Sequence, residues 1–158
     1  MDTAKQTPGL LARNISFVVL ALAIGISGYL SYLKLDNTPA VCLTGGAFDC
    51  GTVLNSSYSE LAGIPIAWLG LAVNLIVTAL LLLENRVAFL REYGPTLVFG
   101  LELFAFLFSV YLVYVQAAII QAFCPWCLSH EALITILFVL SIVRLRAYFA
   151  ANAVGEPA

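Results

Sequence analysis

Four long apolar stretches dominate the pattern of hydrophobic and polar positions along the chain. Each is close to the ~20 residues that a helix needs to cross a hydrocarbon core of ~30 Å at ~1.5 Å per residue. The first is longer than a secretory signal core and lacks a convincing cleavage site, so we expect it to be retained. The pattern predicts transmembrane helices over residues 15–32, 64–83, 96–119 and 125–143.

Composition supports the same fold class. The chain has 158 residues, of which 62% are hydrophobic and only 10% are charged, whereas soluble domains contain roughly 25% charged residues. The net charge of −2 and the lack of a basic stripe give no indication of nucleic-acid binding. We predict an all-α integral membrane protein: a single four-helix bundle over residues 15–146, with cytoplasmic tails at 1–14 and 147–158.

The basic residues predict the orientation. If the chain crosses four times, six of the seven Lys and Arg residues lie on one side, and Lys34 is the exception. Because cytoplasmic loops carry an excess of basic residues, both termini are predicted to be cytoplasmic in a bacterial-type inner membrane. The 33–63 loop and the 120–127 turn then face outward together. The six residues are Lys5, Arg13, Arg86, Arg91, Arg144 and Arg146.

The outer loop, residues 33–63, is long for a helical bundle, and loops of that length are commonly functional. Gly45 and Gly46 permit a tight turn within it. Apolar positions then recur at helical spacing, which predicts a short amphipathic helix lying at the membrane interface. These positions are Val53, Leu54, Tyr58 and Leu61.

All four cysteines fall on the predicted outer side, where disulfides form and persist. Cys124 and Cys127 form a CxxC motif at the start of the fourth predicted helix. Unpaired N–H groups and the partial positive charge at a helix N-terminus favour a thiolate, which suits a redox dithiol. A zinc half-site and a structural disulfide are the alternatives for this motif.

Cys42 and Cys50 bracket the glycine turn. They could form a permanent disulfide that closes the loop, or join the CxxC motif in a four-cysteine zinc site. A third interpretation is an electron relay, in which one dithiol pair passes electrons to the other through a mixed disulfide. We favour the relay, because a zinc site on an oxidising face competes with disulfide formation.

The chain resembles the vitamin K epoxide reductase (VKOR) family over most of its length. The matching features are the Cys42 and Cys50 pair, the segment NSSYSELAGIPIAWLG that leads into the second span, and the late CPWC motif. Another class of quinone-linked oxidases also uses four helices and two cysteine pairs, but its CxxC lies in the first outer loop. The resemblance implies a four-helix bundle around a quinone pocket near the outer face.

The resemblance also implies roles for the cysteines. Cys124 and Cys127 would form the active-site disulfide, with Cys127 next to the quinone. Cys42 and Cys50 would be the shuttle pair that accepts electrons from a thioredoxin-fold protein. Of this pair, we expect Cys50 to supply the thiolate that attacks Cys124.

Ser56, six positions after Cys50, matches a family Ser or Thr that lies beside the site and supports activity. It could instead cap the interfacial helix, and Ser57 is close enough to be confused with it. Glu131 is a departure from the family pattern, because vertebrate members have at that position a tyrosine that contacts the quinone head group. This departure argues against vitamin K epoxide as the substrate and does not argue against quinone reduction.

The predicted function is a membrane quinone-dependent thiol oxidase that reoxidises a disulfide-forming, thioredoxin-fold partner. The acceptor would be ubiquinone, menaquinone or phylloquinone, and no metal is expected. Because the chain ends soon after the fourth span, we expect the partner to be a separate protein. One alternative is a quinone epoxide reductase, and the other is a non-enzymatic membrane protein with structural disulfides or a metal site.

Three further polar residues lie within predicted spans. His130 could donate a proton near the quinone or bind a metal, but we favour an ordinary interfacial residue. Glu102 and Asn74 are functional candidates because ionisable and polar groups are rare within membranes. Asn74 could equally form hydrogen bonds between helices, and Glu102 could reach the cytoplasmic interface.

Overall fold

The computed structural model describes residues 8–36, 38–42 and 47–154, and these residues are mostly helical. The five α-helices are α1 (Pro8–Asp36), α2 (Cys50–Leu54), α3 (Ile66–Leu83), α4 (Ala88–Tyr114) and α5 (Pro125–Val154). A 3₁₀ turn (Ser57–Ser59) and a hairpin of β1 (Glu60–Leu61) and β2 (Ile64–Pro65) separate α2 from α3, and a π-helical turn (Val115–Ile120) continues α4. The predicted turn at Gly45 and Gly46 lies outside the described residues.

Four of these helical segments are long and apolar enough to cross a membrane. Their outward faces carry large apolar side chains, such as Val18, Phe104 and Leu107, that are more than half exposed. Such faces suit contact with lipid rather than water. The predicted all-α membrane fold is therefore confirmed. The spanning segments are Gly9–Asp36, Ile66–Leu83, Ala88–Ile120 and Pro125–Ala153.

The long helices form a bundle in which each packs against two neighbours. Helix α1 packs against α5 and α3, and α4 packs against the same two helices. Interlocking aliphatic side chains from all four helices fill the centre, which holds the helices at close distance by dispersion contacts. The buried members of this core are Val19, Leu20, Val77, Leu81, Val98, Ile134 and Leu137.

The helices extend beyond the predicted spans at the end of the bundle opposite the cysteines. Helix α1 begins at Pro8 and α5 continues to Val154, so helix covers part of both predicted tails, 1–14 and 147–158. The last turns of α5 are rich in alanine and arginine, which are strong helix formers. Helix α4 begins at Ala88 and contains Pro95, whereas its predicted span began after that proline.

The outer loop contains a short helix, as predicted, but the helix stops before Tyr58 and Leu61, two of the apolar positions that suggested it. Helix α2 ends at Leu54, and Ser56 has an extended backbone conformation before the 3₁₀ turn begins. The β-hairpin then reverses direction at Ala62 and Gly63, both of which have positive φ angles, 53° and 82°. A two-residue turn of this kind matches the twist of paired strands, so local turn geometry prevails over the apolar spacing.

Candidate functional site

The two cysteine pairs lie together at one end of the bundle. Cys42 and Cys50 are joined by a disulfide, whereas Cys124 and Cys127 are free thiols. Cys50 and Cys124 are 1% and 0% exposed and belong to one apolar cluster, against which Cys42 and Cys127 pack. The structure thus brings together all four cysteines that the sequence singled out.

Backbone hydrogen bonds tie the outer loop to the CPWC segment. The N–H of Phe123 donates to the carbonyl of Ala47 at 2.9 Å, and the N–H of Asp49 donates to the carbonyl of Phe123 at 3.1 Å. The indole N–H of Trp126 donates to the carbonyl of Val41 at 2.9 Å. These bonds hold the backbone next to Cys42 and next to Cys50, so both cysteines have a fixed register against the CxxC motif.

Asp49 determines where α2 begins. One of its carboxylate oxygens accepts the backbone N–H of Thr52 at 3.0 Å, and the other accepts the Thr52 hydroxyl at 2.7 Å. The hydroxyl bond, followed by the backbone bonds, holds the pKa of Asp49 below its usual range. Because an Asp in this position caps a helix, α2 starts at Cys50.

Gln116 holds the start of the CxxC motif through a hydrogen bond, and the sequence analysis did not identify this residue. Its side-chain oxygen accepts the N–H of Cys124 at 3.0 Å, and both residues are buried. Without this bond, the buried N–H of Cys124, just before α5, would have no hydrogen-bond acceptor. Gln116 lies in the π-helical turn, a feature common at functional sites. The signal available in the sequence was an amide side chain inside an apolar span.

Hydrogen bonds to its sulfur lower the pKa of the Cys124 thiol. A hydrogen bond with the Cys127 side chain, helped by the N–H groups of Cys127 and Trp126, lowers the pKa of Cys124 to about 7 although burial opposes this. The backbone N–H of Cys127 lies 3.3 Å from the Cys124 sulfur. Cys124 thus has the thiolate character that disulfide exchange requires.

An apolar cavity of about 190 Å³ adjoins the CxxC motif. Of the four cysteines, Cys127 lines it, together with side chains from α1, α3, α4, α5 and the outer loop. Phe104, on α4, also lines the cavity and is 66% exposed on the outer surface of the bundle. The cavity therefore reaches the surface that faces lipid.

Ser56 also lines this cavity, whereas Ser57 is not among its lining residues. The Ser56 hydroxyl donates to the carbonyl of Val53 at 2.8 Å. Ser56 occupies the position before the 3₁₀ turn, but its side chain makes no capping hydrogen bond there. The structure therefore places Ser56 beside the cavity, and its hydroxyl also satisfies a carbonyl in the last turn of α2.

A polar network crosses the bundle beside the cavity. The Asn74 side-chain nitrogen lies 3.1 Å from His130 Nε2 and 3.5 Å from Ser27 Oγ, which links α3 to α5 and α1. Ser27 and His130 line the cavity, and Asn74 is 1% exposed. The predicted alternative of interhelical hydrogen bonds for Asn74 is confirmed. The sequence did not indicate that His130 would be its partner.

The two acidic residues singled out within the spans are both buried. Glu131 lines the cavity, whereas Glu102 is 2% exposed and does not reach the surface as one alternative required. Within the described ranges, no three His, Cys, Asp or Glu side chains are grouped so that they could hold a metal ion.

Comparison with known proteins identifies the family. The profile of the Vitamin K epoxide reductase family matches residues 14–142. The chain belongs to this family. The thiol-disulfide oxidoreductase LTO1 of Arabidopsis thaliana is 31% identical to the chain over 134 residues, which cover 82% of the chain. The match covers 35% of LTO1, so the chain spans about a third of that relative's length.

Proposed function

We propose that this VKOR-family protein is a quinone-dependent thiol oxidase of a cytoplasmic membrane. The observation that supports it best is the arrangement of the cysteines: a disulfide and a dithiol share one buried cluster, and Cys127 lines an apolar cavity. The family and the similarity to a thiol-disulfide oxidoreductase support the same class of reaction.

Electrons would arrive from a reduced thioredoxin-fold protein at the Cys42–Cys50 disulfide. Cys42 is half-buried, whereas Cys50 is 1% exposed. An incoming thiolate therefore has better access to the Cys42 sulfur, and Cys50 would leave as the thiolate. The partner's second thiol then displaces Cys42, which leaves an oxidised partner and a reduced loop pair.

The next exchange would move the electrons to the CxxC motif. The Cys50 thiolate attacks Cys124 in the Cys124–Cys127 disulfide, and Cys127 leaves as a thiolate. Cys42 resolves the mixed disulfide, which restores the Cys42–Cys50 disulfide and leaves Cys124 and Cys127 reduced. This product has the redox state seen in the structure, with one disulfide and two free thiols.

The acceptor would be the ring of a membrane quinone: ubiquinone, menaquinone or phylloquinone. An apolar cavity of roughly 150 Å³ accommodates a benzene ring, so the cavity of about 190 Å³ beside Cys127 is large enough for a quinone head group. Its opening near Phe104 would let an isoprenoid tail extend into lipid. The net reaction converts two thiols and a quinone into a disulfide and a quinol, so electrons and protons balance.

The active site would face the periplasm or the cell exterior, with both termini in the cytoplasm. Arg13, Arg86, Arg91 and Arg144 lie at the bundle end opposite the cysteines, as the positive-inside rule requires for this orientation. Oxidised partner released on the outer face would be able to introduce disulfides into secreted proteins.

Anaerobic turnover of the purified protein tests this function. The assay supplies a reduced thioredoxin-fold protein with a short-chain ubiquinone or menadione, and it follows quinone absorbance. We expect Cys127→Ala to abolish quinone reduction, and Cys50→Ala to abolish electron transfer from the partner while a small dithiol still reduces the CxxC pair. Absence of quinone reduction by the wild type, or an unchanged rate in both variants, would contradict the proposal.

A further inference from the structure

His130 lines the cavity and lies three residues after Cys127 on α5. Along α5, it is the first polar residue after Cys127 that lines the cavity. Its one hydrogen-bond partner among the described residues is Asn74. His130 packs against α3 at Gly70, where a Cβ would lie at contact distance, 3.4 Å from His130 Cε1 and 3.8 Å from Nε2. The imidazole edge bearing Nε2 therefore faces α3. Which of its nitrogens holds a proton follows from the partners of Asn74.

Ser27 determines the orientation of the Asn74 amide. The Ser27 hydroxyl donates its hydrogen to the carbonyl of Ala23 at 2.7 Å. A hydroxyl has one hydrogen, so Ser27 Oγ can only accept from Asn74. The Asn74 atom that faces Ser27 must therefore be the NH₂ group, and the amide oxygen points elsewhere.

The same NH₂ group determines the protonation of His130. One of its hydrogens points to Ser27 Oγ, and the other points to His130 Nε2 at 3.1 Å. Because Nε2 accepts this hydrogen, it holds no proton. A neutral imidazole has a proton on one nitrogen, so the proton of His130 is on Nδ1. Nδ1–H is then a hydrogen-bond donor beside the cavity.

We propose that His130 Nδ1–H donates a hydrogen bond to a carbonyl oxygen of the quinone, and that Ser27 and Asn74 fix this tautomer. The inference rests on the proposed function and names the group that recognises the quinone, the proposed electron acceptor. A quinone ring offers hydrogen-bond acceptors and no donors, so a cavity that binds it in one orientation needs a placed donor.

The donor would also assist the reaction. As the ring accepts two electrons from the dithiol, negative charge develops on its oxygens, and a preorganised N–H stabilises that charge in an apolar cavity. Both electrons come from the Cys124 and Cys127 sulfurs as the disulfide forms. The two protons of the quinol come from the two thiols, or from Cys127 and solvent where Cys124 is already a thiolate. His130 keeps its proton throughout.

The tautomer can be measured without any substrate. His130 is the only histidine in the chain, so ¹⁵N-histidine labelling of protein purified with a tag free of histidine gives one pair of ring signals. We expect a neutral ring protonated at Nδ1 in the wild type, and a mixture of tautomers in Asn74→Leu. A wild-type ring protonated at Nε2, or at both nitrogens, at neutral pH would overturn the inference.

Quinone turnover tests the ligand. We expect His130→Phe to lower kcat/KM for menadione by about 10- to 100-fold, the effect of losing one hydrogen bond to a charged oxygen. His130→Gln, which keeps an N–H donor, should recover part of the loss. Ser31→Ala is the control for removal of a buried polar side chain outside the cavity. Ser31 is a buried serine of α1 whose hydroxyl donates within the helix at 2.7 Å, and it does not line the cavity. This variant should keep the wild-type kcat/KM.

The infrared carbonyl bands of ¹³C-labelled menadione distinguish a hydrogen bond from a packing effect. We expect one carbonyl band of the bound quinone to shift to lower frequency in the wild type and to lose that shift in His130→Phe. If the wild type and His130→Phe show the same carbonyl band shift and the same kcat/KM, the inference is overturned while the proposed function stands. Failure of the wild type to bind or reduce any quinone would instead overturn the proposed function, and with it the ligand named here.

Discussion

Replacing Gln116 by methionine isolates the bond that holds the CxxC motif in place. Methionine has a similar length and no strong acceptor, so Gln116→Met keeps the volume in the π-helical turn and removes the oxygen that accepts the Cys124 N–H at 3.0 Å. Gln116 is 3% exposed and Cys124 is 0% exposed, so water cannot replace the lost acceptor.

The expected cost follows from that burial. A buried donor left without a partner costs about 1–3 kcal/mol, more than the net value of an average hydrogen bond. For a chain of this size, each kcal/mol lowers the midpoint of thermal unfolding by roughly 2–4 °C. Gln116→Met should therefore unfold about 2–12 °C below the wild type.

Intrinsic tryptophan fluorescence during heating in one detergent provides the measurement. The matched control is Gln121→Met, because Gln121 is exposed and lies just beyond the same turn. We expect the control to unfold close to the wild type. Equal unfolding temperatures for the two variants would show that the bond to Gln116 does not hold the CxxC segment, and the account of the π-helical turn would fail with it.

Three further results are expected. Trp126→Phe removes the donor to the Cys42 segment, so dithiothreitol should reduce the loop disulfide several-fold faster, whereas Trp68→Phe on the outer face of α3 should leave that rate unchanged. Glu84→Gln breaks a partly buried ion pair with Arg144 at 2.5 Å and should cost up to about 3–5 kcal/mol of unfolding free energy. Glu60→Gln breaks the more exposed pair with Lys34 at 3.2 Å and should cost about 0–1 kcal/mol. Finally, oxidation of the reduced CxxC pair by quinone should accelerate as pH rises through about 7 and then level off, since the thiolate accumulates above the pKa of Cys124; a stopped-flow rate that is flat across that range would contradict this.

The membrane fold could be predicted because its cause is local. Each span is an uninterrupted apolar run, and in lipid such a run must form a helix that satisfies its own backbone. The helix ends were less predictable, since α1 and α5 continue past the hydrocarbon core through residues with good helix propensity. The cysteines could be predicted for a similar reason: their chemistry is visible in residue type and spacing.

The supporting residues could not be predicted, because they depend on contacts between helices. The rotation of each helix about its own axis determines whether Asn74 contacts His130 or faces lipid. That rotation cannot be predicted from an apolar sequence with little amphipathic pattern. Gln116 depends in addition on the π-helical turn, which shifts its direction by a fraction of a turn. Its bond to Cys124 exists only once that irregularity is present.

In the proposed relay, the backbone hydrogen bonds between the outer loop and the CPWC segment would let exchange between the cysteine pairs stay within a buried cluster. A thiolate must approach a disulfide closely, and a loop that left the bundle for each exchange would expose Cys124 to water and oxidants. Here Val41, next to Cys42, is hydrogen-bonded to Trp126, and Asp49, next to Cys50, is hydrogen-bonded to Phe123. With the backbone held on both sides, exchange requires mainly rotation about side-chain bonds. Such intramolecular positioning gives a high effective concentration of the attacking thiolate, so a modestly lowered thiol pKa suffices for rapid transfer.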